Sequence, residues 1–366
     1  MSLFLGLMSG TSMDAIDAAV VDFDASPLRI LAASATPFER GLKQRIAALM
    51  DCPDEVALDE LGQLDIAVGR AFAEAASALL RTAAIAPADV TAIGCHGQTI
   101  RHRPDLRLPF TTQIGDPNTV AEMTGITVVA DFRRRDVAAG GQGAPLLPVF
   151  HDLVFRNDDE DRVIVNLGGI GNVTILIRGT TVTGFDTGPG NRLLDAWIAQ
   201  HRGVDYDADG TWAGTGRCDT TLLNHLLDEP YLMAPPPKST GRELFNLAWL
   251  QNKLGLFERR PQDVQATLQA FTAVSVANAV RQFAPGAALY VCGGGTHNQG
   301  LLDALGRLVA PNRVASTAVL GLDPDYVEAV AFAWFARRTL AGQTSSAGSV
   351  TGARGARILG GIYRYA

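Results

Sequence analysis

The sequence predicts an α/β protein, and three observations carry that prediction. Short β-rich runs alternate with segments of helical periodicity, glycine-rich polar turns follow several of those runs, and one strand–turn–strand pattern occurs twice. The opening "LFLGLMSGTSMDAIDAAVVDF" reads as strand, small-residue turn, strand. In "ELGQLDIAVGRAFAEAASALL", Leu61, Leu64, Val68, Phe72, Ala75 and Leu79 recur at three- and four-residue steps, the signature of one buried helical face. Further strands follow in "VTAIGC" and "ITVVAD", then in "RVIVNLGGIGNVTILI", which repeats the opening pattern, and in "TVTGFD" and "ALYVCG". Helical periods return in "DVQATLQAFTAVSVANAVRQF" and "DYVEAVAFAWFARRTL".

The repeated strand–turn–strand unit points to a duplicated domain, although hairpins are common enough for two to resemble each other by chance. The halves are expected at 1–135 and 136–342. The Gly/Ser-rich tail 343–366 is expected to pack back on the first half. The Pro-rich connection "MAPPPKSTGRE" has the composition of a functional or mobile loop.

A chain of 366 residues exceeds one typical core, and 47% hydrophobic with 19% charged residues is a globular composition. The net charge of −7 argues against nucleic acid as a partner, because phosphate backbones need a basic face. The "DFRRRD" run reads as a solvated or salt-bridged turn. No basic leader or membrane span is visible. Cys52, Cys95, Cys218 and Cys292 show no C-x-x-C spacing, which suits buried free thiols in a reducing, cytoplasmic setting.

The chemistry concentrates in the turns. "HGQT", "DFRRRD", "DTGPGN" and "GGGTHN" each follow a strand, and open α/β sheets bind ligands beyond the carboxyl ends of their strands. In the first turn, small residues let backbone N–H groups approach an oxygen-rich ligand, and Ser9, Thr11 and Ser12 add hydroxyls. Asp14 and Asp17 would repel a phosphate unless Mg²⁺ intervened, so they either orient its waters or cap the turn. Gly168, Gly169 and Gly171 offer a second such cradle.

Asp186 ends a strand between glycines, where a carboxylate could take a proton from an attacking hydroxyl or water; it could equally be a turn-initiating residue. Within the triplet Gly293, Gly294 and Gly295, the residues Gly293 and Gly295, with Asn298 where the third glycine belongs, fit a dinucleotide fingerprint weakly, since no acidic residue is evident after a following strand. A flat face under a purine, or close helix–strand packing, suits them as well. An NAD-dependent oxidoreductase therefore rests on that triplet alone. His96, with Gln98 and Thr99, has no partner histidines at metal spacing and reads as a hydrogen-bonding residue. Periodicity makes Glu328 an exposed charge at a helix N-terminus.

Taken together and in order, "GLMSGTSMDAID", "HGQT", "DFRRRDVAAGGQGAPL", "GFDTGPGN", "PKSTGRE", "CGGGTHN" and "VTGA" resemble the anhydro-N-acetylmuramic acid kinase family over nearly the whole chain. The resemblance implies two ribonuclease-H-like (actin-like ATPase) domains with a nucleotide cleft between them. It implies transfer of the ATP γ-phosphate to 1,6-anhydro-N-acetylmuramic acid while water opens the anhydro ring, within cell-wall recycling. It assigns the base to Asp186, the ATP phosphate loop to Gly10, Thr11, Ser12, Met13, Asp14, Ala15, Ile16 and Asp17, and the adenosine side to Gly293–Gly295. Gly168 and Gly169 join the ATP site, Arg135 and Glu328 fall at sugar-side positions, and His96, Gln98 and Thr99 are placed with them. ATP and Mg²⁺ are the implied cofactors, Asp14 and Asp17 the implied water-mediated metal positions, and a homodimer the implied assembly. Ala15 departs from the family's usual glycine, and a positive φ there would strain it. The superfamily also contains nucleotide-driven binding modules, but no segment here has room for a dedicated peptide-binding domain.

Overall fold

The computed structural model describes residues 2–10, 12–51, 57–256 and 258–365. The chain divides into two compact units, Met1–Leu146 with Tyr326–Ala366, and Leu147–Asp325.

The first unit holds β1 (Leu3–Met8), β2 (Ala15–Asp22), β3 (Arg29–Pro37), β4 (Val90–Cys95), the separate hairpin β5 (Gln98–Arg103) and β6 (Phe110–Ile114), and β7 (Val128–Ala130). A last strand, Gly361–Tyr363, pairs antiparallel with β7. β1, β2 and β3 form an antiparallel meander, and β4 and β7 continue the sheet parallel to β1. Alternation along β1 and β2 sends Leu3, Leu5, Leu7, Ile16, Ala18 and Val20 into one core with the helices Arg40–Asp51 and Leu58–Thr82. The predicted stripe of the longer helix is buried at Leu64, Val68, Phe72, Ala75 and Leu79, and Leu61 packs at its margin.

The opposite face of the sheet carries the helix Val327–Leu340, which the sequence had assigned to the second half. Gly6 and Gly94 admit it: a Cβ on Gly6 would lie 1.7 Å from the Ala329 carbonyl oxygen, and one on Gly94 would lie 1.9 Å from that of Phe332. Its face toward the strands is apolar, with Ala329, Val330, Phe332, Ala333 and Phe335 all fully buried.

The second unit holds β8 (Arg162–Leu167), β9 (Ile170–Leu176), β10 (Thr183–Pro189), β11 (Ala288–Cys292) and β12 (Val314–Ser316). β8–β9–β10 is again an antiparallel meander, and β11 and β12 run parallel to β8 on its other side. The order β10-β9-β8-β11-β12 thus repeats β3-β2-β1-β4-β7, strand for strand and direction for direction. The helices Pro261–Phe283 and Gln299–Val309 close one core against this sheet, and a second apolar cluster joins Leu193, Trp197, Leu222, Phe245 and Phe271.

Two local expectations change. "DFRRRD" is not a turn but opens the helix Phe132–Ala138, with Arg134 paired to Asp131 at 2.7 Å. Cys95 and Cys292 are buried and in no disulfide, as expected, whereas Cys218 is exposed. Cys52 lies outside the described residues. Among those residues no helix is long and apolar enough to cross a membrane.

Candidate functional site

In the first unit the candidates gather where β1 turns into β2 and where β4 ends. The register Leu7 opposite Cys95, with the His96 amide donating to the Leu7 carbonyl at 3.0 Å, brings the segment after β4 alongside the β1–β2 turn. Gly10 and Ser12 are half-buried there, and Thr11 lies outside the described residues. Met13 is buried with φ of 57°, a left-handed conformation that costs a side-chain-bearing residue about 1–3 kcal/mol. Its amide closes the turn on the Gly10 carbonyl at 3.3 Å.

The strain expected at Ala15 is not there. Ala15 opens β2, paired with Pro37, and the positive φ falls two residues earlier. Ile16 points into the core, so only its backbone is available to a ligand. Asp14 is largely exposed and pairs with Lys43 at 3.4 Å. Asp17 sits inside β2 opposite Met8, half-buried, on the face that carries Val327–Leu340. Glu328 stands in the first turn of that helix and is half-buried rather than exposed.

His96 and Gln98 are closed off from solvent. Arg133 Nε donates to His96 Nε2 at 2.9 Å and its Nη1 donates to the Gly143 carbonyl at 2.9 Å. A donor facing Nε2 requires that nitrogen to be unprotonated. Burial, with the Arg133 charge beside it, accordingly holds His96 well below the usual imidazole range. Gln98 Oε1 accepts from Ser9 Oγ at 2.7 Å, and Gln98 Nε2 donates to the Gly10 and Thr99 carbonyls at 3.3 and 3.2 Å. Thr99 is half-buried and its hydroxyl accepts from Gln113 Nε2 at 3.2 Å. Arg135 is exposed on the helix Phe132–Ala138.

In the second unit the candidates surround β10. A bulge between Asp186 and Gly188 interrupts the ladder with β9, and Asp186 is 5% exposed. The connection after Pro230 wraps it. Thr240 donates its amide to Asp186 Oδ2 at 2.9 Å, Tyr231 donates its hydroxyl to the Asp186 carbonyl at 2.9 Å, and the Asp186 amide donates to the Lys238 carbonyl at 3.3 Å. Lys238 Nζ donates to the carbonyls of Tyr231 and Leu232 at 3.1 and 3.0 Å and sits 4.7 Å from the Tyr231 ring centroid. Burial pushes the Lys238 ammonium down, and the Asp186 charge opposes that shift. The motif "PKSTGRE" by itself gives Lys238, Thr240 and Tyr231 no task; a lysine in a Pro-rich connection is the signal that points to them.

The β8–β9 turn is braced from behind. The amides of Asn191 and Gly190 donate to the carbonyls of Gly168 and Gly169 at 2.8 and 3.0 Å, and Asn191 Nδ2 donates to the Leu167 carbonyl at 3.1 Å. A Cβ on Gly168 would find nothing nearer than 3.7 Å, so that edge is open, whereas Gly171 lies inside the ladder. Of the triplet, Gly293 (φ 81°) and Gly295 are needed for packing, because Cβ atoms there would meet Asn166 Oδ1 and Leu167 Cβ at 2.4 Å. Gly294 faces open space. Among the described residues no group of three or more His, Cys, Asp or Glu could hold a metal ion. The exposed carboxylate of Asp14 beside the turn suits a cation held through water.

A family model described as anhydro-N-acetylmuramic acid kinase matches residues 2–365. An anhydro-N-acetylmuramic acid kinase of Xanthomonas campestris pv. campestris is 52% identical over 365 residues, covering 99% of this chain and 97% of the relative. One of Coxiella burnetii is 50% identical over 363 residues, covering 98% and 97%. Among solved structures, the (R)-2-hydroxyglutaryl-CoA dehydratase component A of Acidaminococcus fermentans superposes with a TM-score of 0.50 at 12% identity, covering 93% of this chain and all of that one. That last likeness concerns the fold alone.

Proposed function

The chain belongs to the anhydro-N-acetylmuramic acid kinase family, and from that membership we infer that it is an ATP-dependent kinase. It converts 1,6-anhydro-N-acetylmuramic acid and water to N-acetylmuramic acid 6-phosphate in cell-wall recycling. The repeated strand order supports reading each unit as a ribonuclease-H-like domain.

The observation that carries the chemistry is the setting of Asp186. A base must be held in a fixed direction, and here the Thr240 amide donates to Oδ2 while Tyr231 and Lys238 fix the Asp186 backbone. We assign Asp186 the proton of the water that attacks C1 of the anhydro sugar. As the C1–O6 bond breaks, O6 receives its electron pair and attacks the γ-phosphorus, and the bond from that phosphorus to the β–γ bridging oxygen of ATP breaks, leaving ADP. The Lys238 ammonium lies close enough to the Asp186 carboxylate for the two charges to interact.

The turns at Gly10–Asp14 and at Gly168–Gly169 offer backbone N–H groups to phosphate oxygens, with Gly294 as an open, flat edge on the adenosine side. Mg²⁺ bound with the nucleotide would neutralise phosphate charge, and Asp14, with Asp17 behind it, would hold it through water. Arg135 and Glu328 provide an exposed cation and a half-buried anion for the sugar.

Asp186→Asn keeps the shape and the Thr240 contact but removes the base. Turnover should fall by about 10²–10⁴-fold. Dissociation constants for ATP and for the anhydro sugar, measured separately by calorimetry, should stay within a few-fold. Near-normal turnover would remove Asp186 from the role.

A further inference from the structure

Gln98 is fully buried, and both of its amide donors are already used. One N–H goes to the Gly10 carbonyl at 3.3 Å and the other to the Thr99 carbonyl at 3.2 Å, while Oε1 accepts from Ser9 Oγ at 2.7 Å. Ser9 is itself 1% exposed. No donor of this side chain is left for a sugar hydroxyl. What it grips instead is the entry to the β1–β2 turn. Its Nε2 and the Met13 amide converge on the same acceptor, the Gly10 carbonyl. Held by two donors, that carbonyl cannot turn freely, so the carbonyl side of Gly10 keeps one orientation.

We propose that Gln98, acting with Ser9, is a positioning residue for the nucleotide: it holds the Gly10 carbonyl, and with it the entry to the β1–β2 turn that meets phosphate, and does not contact the sugar. The inference rests on the reading of that turn as the phosphate loop. Removing Gln98 leaves Ser9 Oγ and the Gly10 carbonyl without this partner in a dry site, and the turn loses the bond that links it to the end of β4.

The test compares Gln98→Leu, Ser9→Ala and the double variant, with Gly10→Val as a check on the turn itself. Calorimetry with a non-hydrolysable ATP analogue plus Mg²⁺, and separately with the anhydro sugar, gives two dissociation constants per variant. Gln98→Leu should weaken nucleotide binding roughly ten- to a hundredfold and leave the sugar constant within twofold. The Ser9→Ala and Gln98→Leu effects on the nucleotide should be less than multiplicative, since both break one contact. Loss confined to the sugar, equal loss of both ligands, unchanged nucleotide affinity or fully multiplicative effects would each overturn the proposal. If Gln98→Leu does not fold, Ser9→Ala decides alone: it should weaken the nucleotide several-fold and spare the sugar. A Cβ at Gly10 meets no described atom nearer than Ser12 Oγ at 4.0 Å, so Gly10→Val adds its bulk on a side of the turn open to a ligand. Should Gly10→Val leave the nucleotide constant unchanged, the phosphate-loop reading fails and takes this inference with it. Should Gly10→Val block the nucleotide while the Ser9 and Gln98 variants do not weaken it, only this inference fails.

Discussion

His151 is sealed beneath the second sheet with its Nδ1 2.8 Å from Thr174 Oγ1, and burial pushes its imidazole down to about 3. The folded state therefore keeps His151 neutral where the unfolded chain, at about 6.5, would already take a proton. The unfolded state binds more protons between those values, so stability is fully present above about pH 6.5 and drains away as the pH falls toward 3. The slope for one proton is about 1.4 kcal/mol per pH unit. Denaturant midpoints recorded from pH 7 to pH 5 should fall for the wild type, and His151→Asn, which can still bond Thr174, should flatten the decline by one proton's worth. Parallel declines would mean that His151 titrates freely in the fold. His96 shifts in the same direction, held neutral by burial and by Arg133. The sequence reads His96 as a hydrogen-bonding residue, because no partner stands at metal spacing. It could not say that the ring would be closed off, because burial depends on Arg133, whose Nε reaches it from 37 residues away. Asp186 draws notice in the sequence for the opposite reason, because a carboxylate flanked by glycines is a local pattern, although the strand it is expected to end runs on past a bulge to Pro189. Thr240, 54 residues further on, completes it through a contact no spacing rule encodes.

The helix Val327–Leu340 lies so close on β1 and β4 that two strand residues must lack side chains. At Gly6 the obstacle to a Cβ is backbone, the Ala329 carbonyl at 1.7 Å, and no rotamer change relieves it. Gly6→Ala should lift the helix from the sheet and cost several kcal/mol, beyond the usual about 1–3 kcal/mol of an overpacked side chain. Gly62→Ala is the matched contrast: exposed in the helix Leu58–Thr82 with nothing within 4 Å, it should stabilise by about 0.5–1 kcal/mol. Opposite shifts of thermal midpoint are expected for the two, and comparable shifts would refute the close-approach account. Element identity was largely readable, since "VTAIGC", "RVIVNL" and "ALYVC" carry enough β-branched and apolar residues to become β4, β8 and β11. The edge strand β3, "RILAASATP", carries no strand signal in the sequence, because alanine and serine on a half-exposed strand leave no alternation to count.

Both units build the same sheet, but only the second builds it from one continuous stretch, Leu147–Asp325. The first needs Tyr326–Ala366 to return, and halves of 1–135 and 136–342 place both 136–146 and 326–342 in the wrong unit, because no local composition change marks either crossing. A chain ending at Asp325 would lose the helix that covers one face of β1, β2 and β4, together with the strand Gly361–Tyr363. Val330, Phe332 and Phe335 are each fully buried, and each is worth about 1.5–3 kcal/mol in transfer free energy. Three such losses reach the about 5–15 kcal/mol that typically separates folded from unfolded domains. We therefore expect the 1–325 chain to be insoluble, or soluble but bound by a hydrophobic dye, with proteolysis concentrated before residue 147. Coexpression of a 326–366 segment should restore solubility and protection, because that segment supplies the missing layer. The same experiment in the second unit has no counterpart, since its sheet and both of its covering helices lie within 147–325. A 1–325 chain that stayed soluble, dye-silent and unchanged in thermal midpoint would show that the first sheet holds without its C-terminal cover.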